Sequence, residues 1–97
     1  MHITSPIRTK DTVDTLARLW EAYVRRSHHF LTEADIRRLT PFVKSGLGHI
    51  ERLFVTYVQN VPAGFIGLEK NKIEMLFIAP DFWGMGIGKE LVLMAFR

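Results

Sequence analysis

Three glycines at alternate positions, Gly84, Gly86 and Gly88, mark the most chemically suggestive stretch of the chain, Ile73–Leu91 (IEMLFIAPDFWGMGIGKEL). The apolar run reads as a strand, Pro80-Asp81 ends it, and the glycines open a final helix whose stripe is Ile87, Leu91 and Met94/Ala95. The start of a helix offers unpaired N–H groups and the positive end of a dipole, which suits a phosphate. Glycines in the first turn let an anion reach those N–H groups without meeting a Cβ. Two phosphate loops are excluded by spacing. A dinucleotide fingerprint, G-x-G-x-x-G, would need glycine at Lys89 or Leu91. A nucleotide P-loop would need glycine at Trp83 and Ser or Thr at Glu90. What remains is a strand–Pro–x–x–x–Gly–x–Gly–x–Gly–helix unit, which either cradles a diphosphate or is a glycine-rich loop with no ligand. The four histidines show no metal-ligand spacing, and without cysteine there is neither a thiolate zinc site nor a disulfide.

The elements that must hold this segment follow from periodicity. Ile3 to Arg8 reads as a short strand, which Pro6 confines to an edge or a strand start. Val13, Leu16, Ala17, Trp20, Tyr23 and Val24 predict a helix of about four turns with one buried stripe. Asp11 and Asp14 at its start and Arg25-Arg26 at its end match the helix dipole in sign. Thr32 and Asp35 form a capping box for a second helix, with Leu31 and Ile36 as its staple. Pro41 predicts a break near Thr40 and a new turn from there, stopped by Gly46 and Gly48. Leu53 to Gln59 (LFVTYVQ) is a strand, Asn60-Val61-Pro62 a turn, and Ala63 to Leu68 (AGFIGL) the returning strand. A polar turn, Glu69–Lys72, leads to Ile73–Ala79 (IEMLFIA), whose nearly continuous apolar character predicts burial on both faces.

A chain of 97 residues holds one small domain, burying roughly two-thirds of its unfolded surface. At 47% hydrophobic and 24% charged it is neither disordered nor collagen-like nor lipid-embedded. The longest unbroken apolar run, Leu91–Phe96, is far short of the ~20 residues of a membrane helix. Met1–Lys10 lacks the apolar core of a secretory signal, and a cysteine-free chain is compatible with a cytoplasmic setting. The net charge of +3 arises entirely in residues 1–50, with eight Lys/Arg against five Asp/Glu. Arg25-Arg26 and Arg37-Arg38 are too little clustered for a nucleic-acid footprint; a solvated basic helix face accounts for them, with attraction to an anionic small ligand as the intermediate option.

Together with its strand, the glycine segment resembles the acetyl-coenzyme A binding motif of the GNAT N-acetyltransferase superfamily. That motif is Gln/Arg-x-x-Gly-x-Gly/Ala after a strand with a proline near its end. Trp83-Gly84-Met85-Gly86-Ile87-Gly88 matches its two small-residue positions at Gly86 and Gly88. Ser27-His28-His29-Phe30-Leu31 looks like the Ser/Thr-His-x-Phe-Leu segment of a bacterial branch of small acetyltransferases, some of which act on protein lysines. The resemblance covers essentially the whole chain, residues 1–97 as one domain. It implies an α+β fold of the acyl-CoA N-acyltransferase type: three α/β/α layers and a mixed, mostly antiparallel sheet. The implied order is strand–helix–helix–strand–strand–strand–helix, without the usual C-terminal strands. One position departs: Trp83 stands where the family has Gln or Arg, so a side-chain contact to the diphosphate is lost.

The resemblance also implies an activity and a site. The chain is expected to be an N-acetyltransferase using acetyl-CoA as cosubstrate, no metal, and a primary amine or protein lysine as acceptor. The pantothenate arm would lie along Leu76, Phe77 and Ile78, and the diphosphate on the amides of Gly84, Met85, Gly86, Ile87, Gly88 and Lys89. Glu74 matches a family glutamate that deprotonates the amine, and burial in its apolar strand would raise its pKa; the alternative is an exposed edge position near the Lys72 turn. His28 and His29 lie between the helices on the acceptor side. The family fold continues past Arg97, so the chain reads as a truncated, cofactor-motif portion. Its strand Ile73–Ala79 would be an open edge, predicting a dimer or other homo-oligomer. The alternative is an inactive fragment that binds coenzyme A weakly or only self-associates.

Overall fold

The computed structural model describes residues 2–27 and 30–97. In chain order it has β1 (His2–Thr4), α1 (Lys10–Ser27), α2 (Glu33–His49), β2 (Arg52–Val58), β3 (Val61–Glu69), β4 (Lys72–Ile78), a 3-10 turn (Pro80–Phe82) and α3 (Ile87–Ala95). The element order is the expected one, although β1 is shorter than Ile3–Arg8. The strands form one sheet in the order β1-β2-β3-β4, and every described pairing is antiparallel.

The hairpin turns are tighter than the sequence suggests. Gln59-Asn60 (φ 50° and 66°) and Lys70-Asn71 (φ 51° and 64°) are two-residue loops with both residues left-handed. This is the turn geometry whose twist matches paired strands, and Asn tolerates it better than most side chains. Val61 and Pro62 therefore belong to β3, and Glu69 pairs with Lys72 across the second turn.

Alternation along the strands feeds two cores. Leu53, Val55 and Phe65 pack with Leu16, Ala17, Trp20 and Val24 of α1 and with Ile36 and Leu47 of α2. On the opposite face Ala63, Ile66 and Leu68 pack with Ile87, Leu91 and Ala95 of α3. The result is three layers. A helix as short as α3 is not stable alone, and each fully buried Leu or Ile contributes on the order of 2 kcal/mol. The close approach at Gly64 helps: a Cβ there would meet Ile78 Cδ1 at 2.7 Å and Ile87 Cγ2 at 3.3 Å. The Arg52 guanidinium donates to the Ala95 carbonyl (2.9 Å) at the other end of α3.

Two expectations are corrected. α2 runs through Pro41 without a break. Proline removes the N–H that would bond the Arg37 carbonyl, but that turn faces solvent, with Arg37 and Pro41 both exposed. The Thr40 hydroxyl donates to the Ile36 carbonyl (2.7 Å) beside it. The helix also passes Gly46 and Gly48, ending where the Ile50 N–H reaches the Gly46 carbonyl. Second, β4 is not buried on both faces. It is the sheet edge, with Met75, Leu76, Phe77 and Ile78 only half-buried and Ile73 exposed.

The capping box at the start of α2 is present as expected. Asp35 N–H donates to Thr32 Oγ1 (3.1 Å) and Thr32 N–H to Asp35 Oδ2 (3.0 Å). Arg25 joins the two helices, its two terminal nitrogens on the two oxygens of Glu33 (both 2.7 Å) and its Nε on Glu21 (2.9 Å).

Thr32→Ala should lower the stability to urea by about 1 kcal/mol through loss of the cap. The acid limb follows from three carboxyls held below their ordinary values. Asp35 is lowered first by the Thr32 N–H, Glu33 by Arg25, and Asp14 by Lys10 and then Lys44. Groups lowered in the folded state stabilise it above their unfolded values, and that stabilisation disappears as pH falls through the lowered ones. Urea midpoints should therefore hold steady from neutral pH down to the ordinary Glu33 value of 4.5 and fall below it. Arg25→Gln should flatten that fall.

Candidate functional site

The phase of the β3–β4 ladder decides what β4 offers at its open edge. Ala79 N–H donates to the Ala63 carbonyl (2.8 Å), and the register continues as Gly64–Ile78, Phe65–Phe77, Ile66–Leu76 and Gly67–Met75. Antiparallel pairs alternate between those that exchange bonds and those that do not. Phe77 and Met75 thus turn their main-chain groups toward β3, whereas Leu76 and Ile78 turn theirs outward. Of the three residues assigned to the cofactor arm, Leu76 and Ile78 present main chain to the edge. Phe77 presents a side chain to the other face, edge-on to Tyr23 at 5.0 Å between ring centroids.

The loop after β4 is built by its glycines. Gly84 (φ +83°) and Gly86 (φ +75°) are left-handed, a conformation that strains other side chains. Gly86 caps α3 with no side chain to give, and the first bond of the helix runs from Glu90 N–H to the Gly86 carbonyl (3.2 Å). The amides of Ile87, Gly88 and Lys89 precede that bond and have no partner inside the helix. Gly88 is different from the other two. Its φ is not left-handed, and no atom lies within 4 Å of where its Cβ would be. Nothing inside the protein requires glycine there, and a helical glycine costs about 1 kcal/mol relative to alanine. A small residue there leaves the amides of the first turn open to an anion. Met85 and Lys89 are exposed on either side.

Trp83 lies against this loop. Its indole N–H donates to the Ile78 carbonyl (2.8 Å), one of the outward-facing groups of β4. Its ring meets Tyr23 edge-on at 6.0 Å, and the Arg26 guanidinium lies over it, also at 6.0 Å.

On the α1–α2 side of β4 is a cleft of about 380 Å³ lined by Trp20, Leu39, Phe42, Val43, Glu74, Met75 and Phe77. Glu74 reaches it through a bulge. Gly67 pairs with Met75 and Leu68 with Ile73, so Glu74 is an extra residue in β4. Strict alternation would put Glu74 on the α3 face with Leu76; the bulge turns it beside Met75 instead. Of the two readings of Glu74, buried in its strand or exposed near the Lys72 turn, the structure shows the second. Its side chain is 43% exposed, with a carboxylate oxygen 3.8 Å from Lys72 Nζ, because β4 is an edge and the turn is near. His28 and His29 lie outside the described residues. Sequence reasoning missed Leu39, Phe42 and Val43; the available signal was Phe42, an aromatic beside Pro41 that α2 leaves exposed. Trp20, read as core, is buried and also lines the cleft. Among the described residues no cluster of His, Cys, Asp or Glu could hold a metal, and no helix is long and apolar enough to cross a membrane.

Known proteins share this fold. The profile of the acetyltransferase (GNAT) family matches residues 13–97. The peptidyl-lysine N-acetyltransferase YjaB of Salmonella typhimurium is 34% identical over 79 residues, which are 81% of this chain and 54% of that protein. The chain thus spans about half the length of this relative. The solution structure of apo-form YjaB from Escherichia coli has a TM-score of 0.80 at 29% identity, covering 99% of this chain and 65% of that one. The PaiA N-acetyltransferase of Thermoplasma acidophilum, in complex with coenzyme A, has a TM-score of 0.77 at 18% identity, with coverage of 99% and 70%. At that identity the likeness is one of fold.

The glycines should separate in urea denaturation. Gly86→Ala should cost about 1–2 kcal/mol for its left-handed φ. Gly88→Ala should leave stability unchanged or raise it by up to about 1 kcal/mol.

Proposed function

The chain belongs to the acetyltransferase (GNAT) family, and from that premise we propose that it is the cofactor-motif portion of an N-acetyltransferase. It would move an acetyl group from acetyl-CoA to a primary amine, with a protein lysine as the favoured acceptor. The observation that carries this is Gly88, a helical glycine with open space above it, beside three amides that the helix leaves unbonded. The amides of Ile87, Gly88 and Lys89 would hold the diphosphate, with Gly84, Met85 and Gly86 shaping the approach and Lys89 adding charge. The outward N–H and C=O groups of Leu76 and the N–H of Ile78 would hold the pantothenate arm as an added strand pairs with an edge. Acetyl-CoA supplies an activated thioester carbonyl.

The chain's part in the chemistry is to deliver a neutral amine. An ammonium has no lone pair, so a base must take its proton before attack. Glu74 would do so, directly or through a water, from the end of the cleft nearest β4. The apolar lining from Trp20, Leu39, Val43 and Phe77 suits the methylene stem of a lysine, leaving its nitrogen toward the carboxylate. His28 and His29, at the α1–α2 connection, would add polar contacts to the acceptor. An acetyl-CoA-dependent reaction also agrees with a cytoplasmic setting.

A second reading, pairing of two copies along β4, is supported by the outward main-chain groups of Leu76 and Ile78 and by exposed Ile73. Light scattering decides it: a sharp monomer at tens of micromolar overturns the pairing.

Acetyl-CoA should raise the melting temperature, and free thiol should appear when an amine or lysine peptide is added. No shift and no thiol would leave only the inactive-fragment alternative. Glu74→Gln should keep the thermal shift but lower kcat by about a hundredfold or more at neutral pH, with partial recovery as the acceptor deprotonates at high pH.

A further inference from the structure

Position 83 has no group to give a phosphate. An indole is donor-only, and the single N–H of Trp83 is already on the Ile78 carbonyl (2.8 Å). The loop therefore presents neutral amides and the charge of Lys89. A second cation nevertheless stands beside it. Arg25 and Arg26 are neighbours in the last turn of α1, yet they are used differently. Arg25 is committed to Glu21 and Glu33. Arg26 makes no ion pair among the described residues, and its guanidinium lies over the Trp83 ring at 6.0 Å.

We propose that Arg26 supplies the cationic contact to the diphosphate that position 83 lacks, with the Trp83 ring as its platform. This rests on the acetyl-CoA reading above. Over the ring at 6.0 Å the guanidinium spends no N–H on it, so its donors stay available for a phosphate held at two points. The platform is itself fixed, by the indole bond to β4 and by the edge contact with Tyr23 (6.0 Å). One aromatic residue thus ties the end of α1 to the end of β4 and holds a charge beside the glycine loop. Helix α1 then becomes part of the cofactor site rather than only its scaffold.

Isothermal titration of wild type, Arg26→Gln and Arg18→Gln with coenzyme A and with 3′-dephospho-coenzyme A tests this. Arg18 is the charge-matched control, on the same helix and bonded to Thr15. Arg26→Gln should weaken both ligands about tenfold, and its affinity should depend less on ionic strength than that of wild type. Arg18→Gln should stay within about twofold. Equal affinity of wild type and Arg26→Gln overturns the role of Arg26 and leaves the acetyl-CoA reading standing. A loss confined to coenzyme A would put Arg26 on the 3′-phosphate and overturn the diphosphate assignment. If wild type binds neither ligand, the acetyl-CoA reading fails and this inference with it.

Discussion

In the β3–β4 ladder a single bond, from Ala79 N–H to the Ala63 carbonyl, belongs to a register that governs everything presented by β4. It turns the main-chain groups of Leu76 and Ile78 outward and sends the side chains of Met75 and Phe77 toward α1. A slip of one residue would exchange both sets: the edge groups would turn inward and the cleft would lose its wall. The bulge at Glu74 is the one place where the alternation is interrupted, and it brings the only carboxylate of β4 to the cleft. Edge and cleft are therefore consequences of one register with one inserted residue.

That register is held from both faces. Phe65 and Phe77 sit 5.7 Å apart, ring to ring, under α1. Ile66 and Leu76 meet α3 on the other side. Helix α3 has its start set by the approach at Gly64 and its end by Arg52, so the unbonded amides of its first turn are fixed relative to β4 rather than free to drift. The α1–α2 pair is anchored separately, by the Arg25 fork and by the bond from Arg8 Nη1 to the Leu47 carbonyl (3.0 Å). The loop and the cleft thus rest on opposite layers, joined by β4 and by the contacts of Trp83 with Tyr23 and Arg26 of α1.

Features that depend on a few neighbouring residues were legible in the sequence. Thr32 and Asp35 announce their own box, and the stripe from Leu16 to Val24 announces its helix, because capping and periodicity are local. The glycine alternation identified the loop for the same reason. Pro41 was misread because its effect depends on whether a freed carbonyl can reach water, which only the orientation of α2 decides. The bulge at Glu74 was invisible because residues 72–78 have no local signature for an extra residue; it exists only in pairing with β3. Burial of that glutamate was inferred from apolar neighbours along the strand, whereas exposure is set by what lies beside the strand. The same blindness hid Arg26, which the sequence shows as one of a pair of equivalent arginines.

Position 83 departs from the motif that this segment resembles. A Gln or Arg there would bring a polar side chain to the loop; Trp83 brings a ring, and its one donor is spent on β4. The loop gains rigidity from that bond and from Tyr23 but gives up a charge. Carbonyl and charge are separate quantities, however. The Ile78 carbonyl is removed from the set of edge acceptors, leaving Leu76 as the residue with both outward groups open to a ligand, while a charge can return from any element whose end reaches the ring. Helix α1 ends beside that ring, with a basic last turn already favoured by its dipole. With Arg26 in the proposed role, the constraint at position 83 is less on the residue than on the total: an ordered loop, open amides and a cation beside the ring.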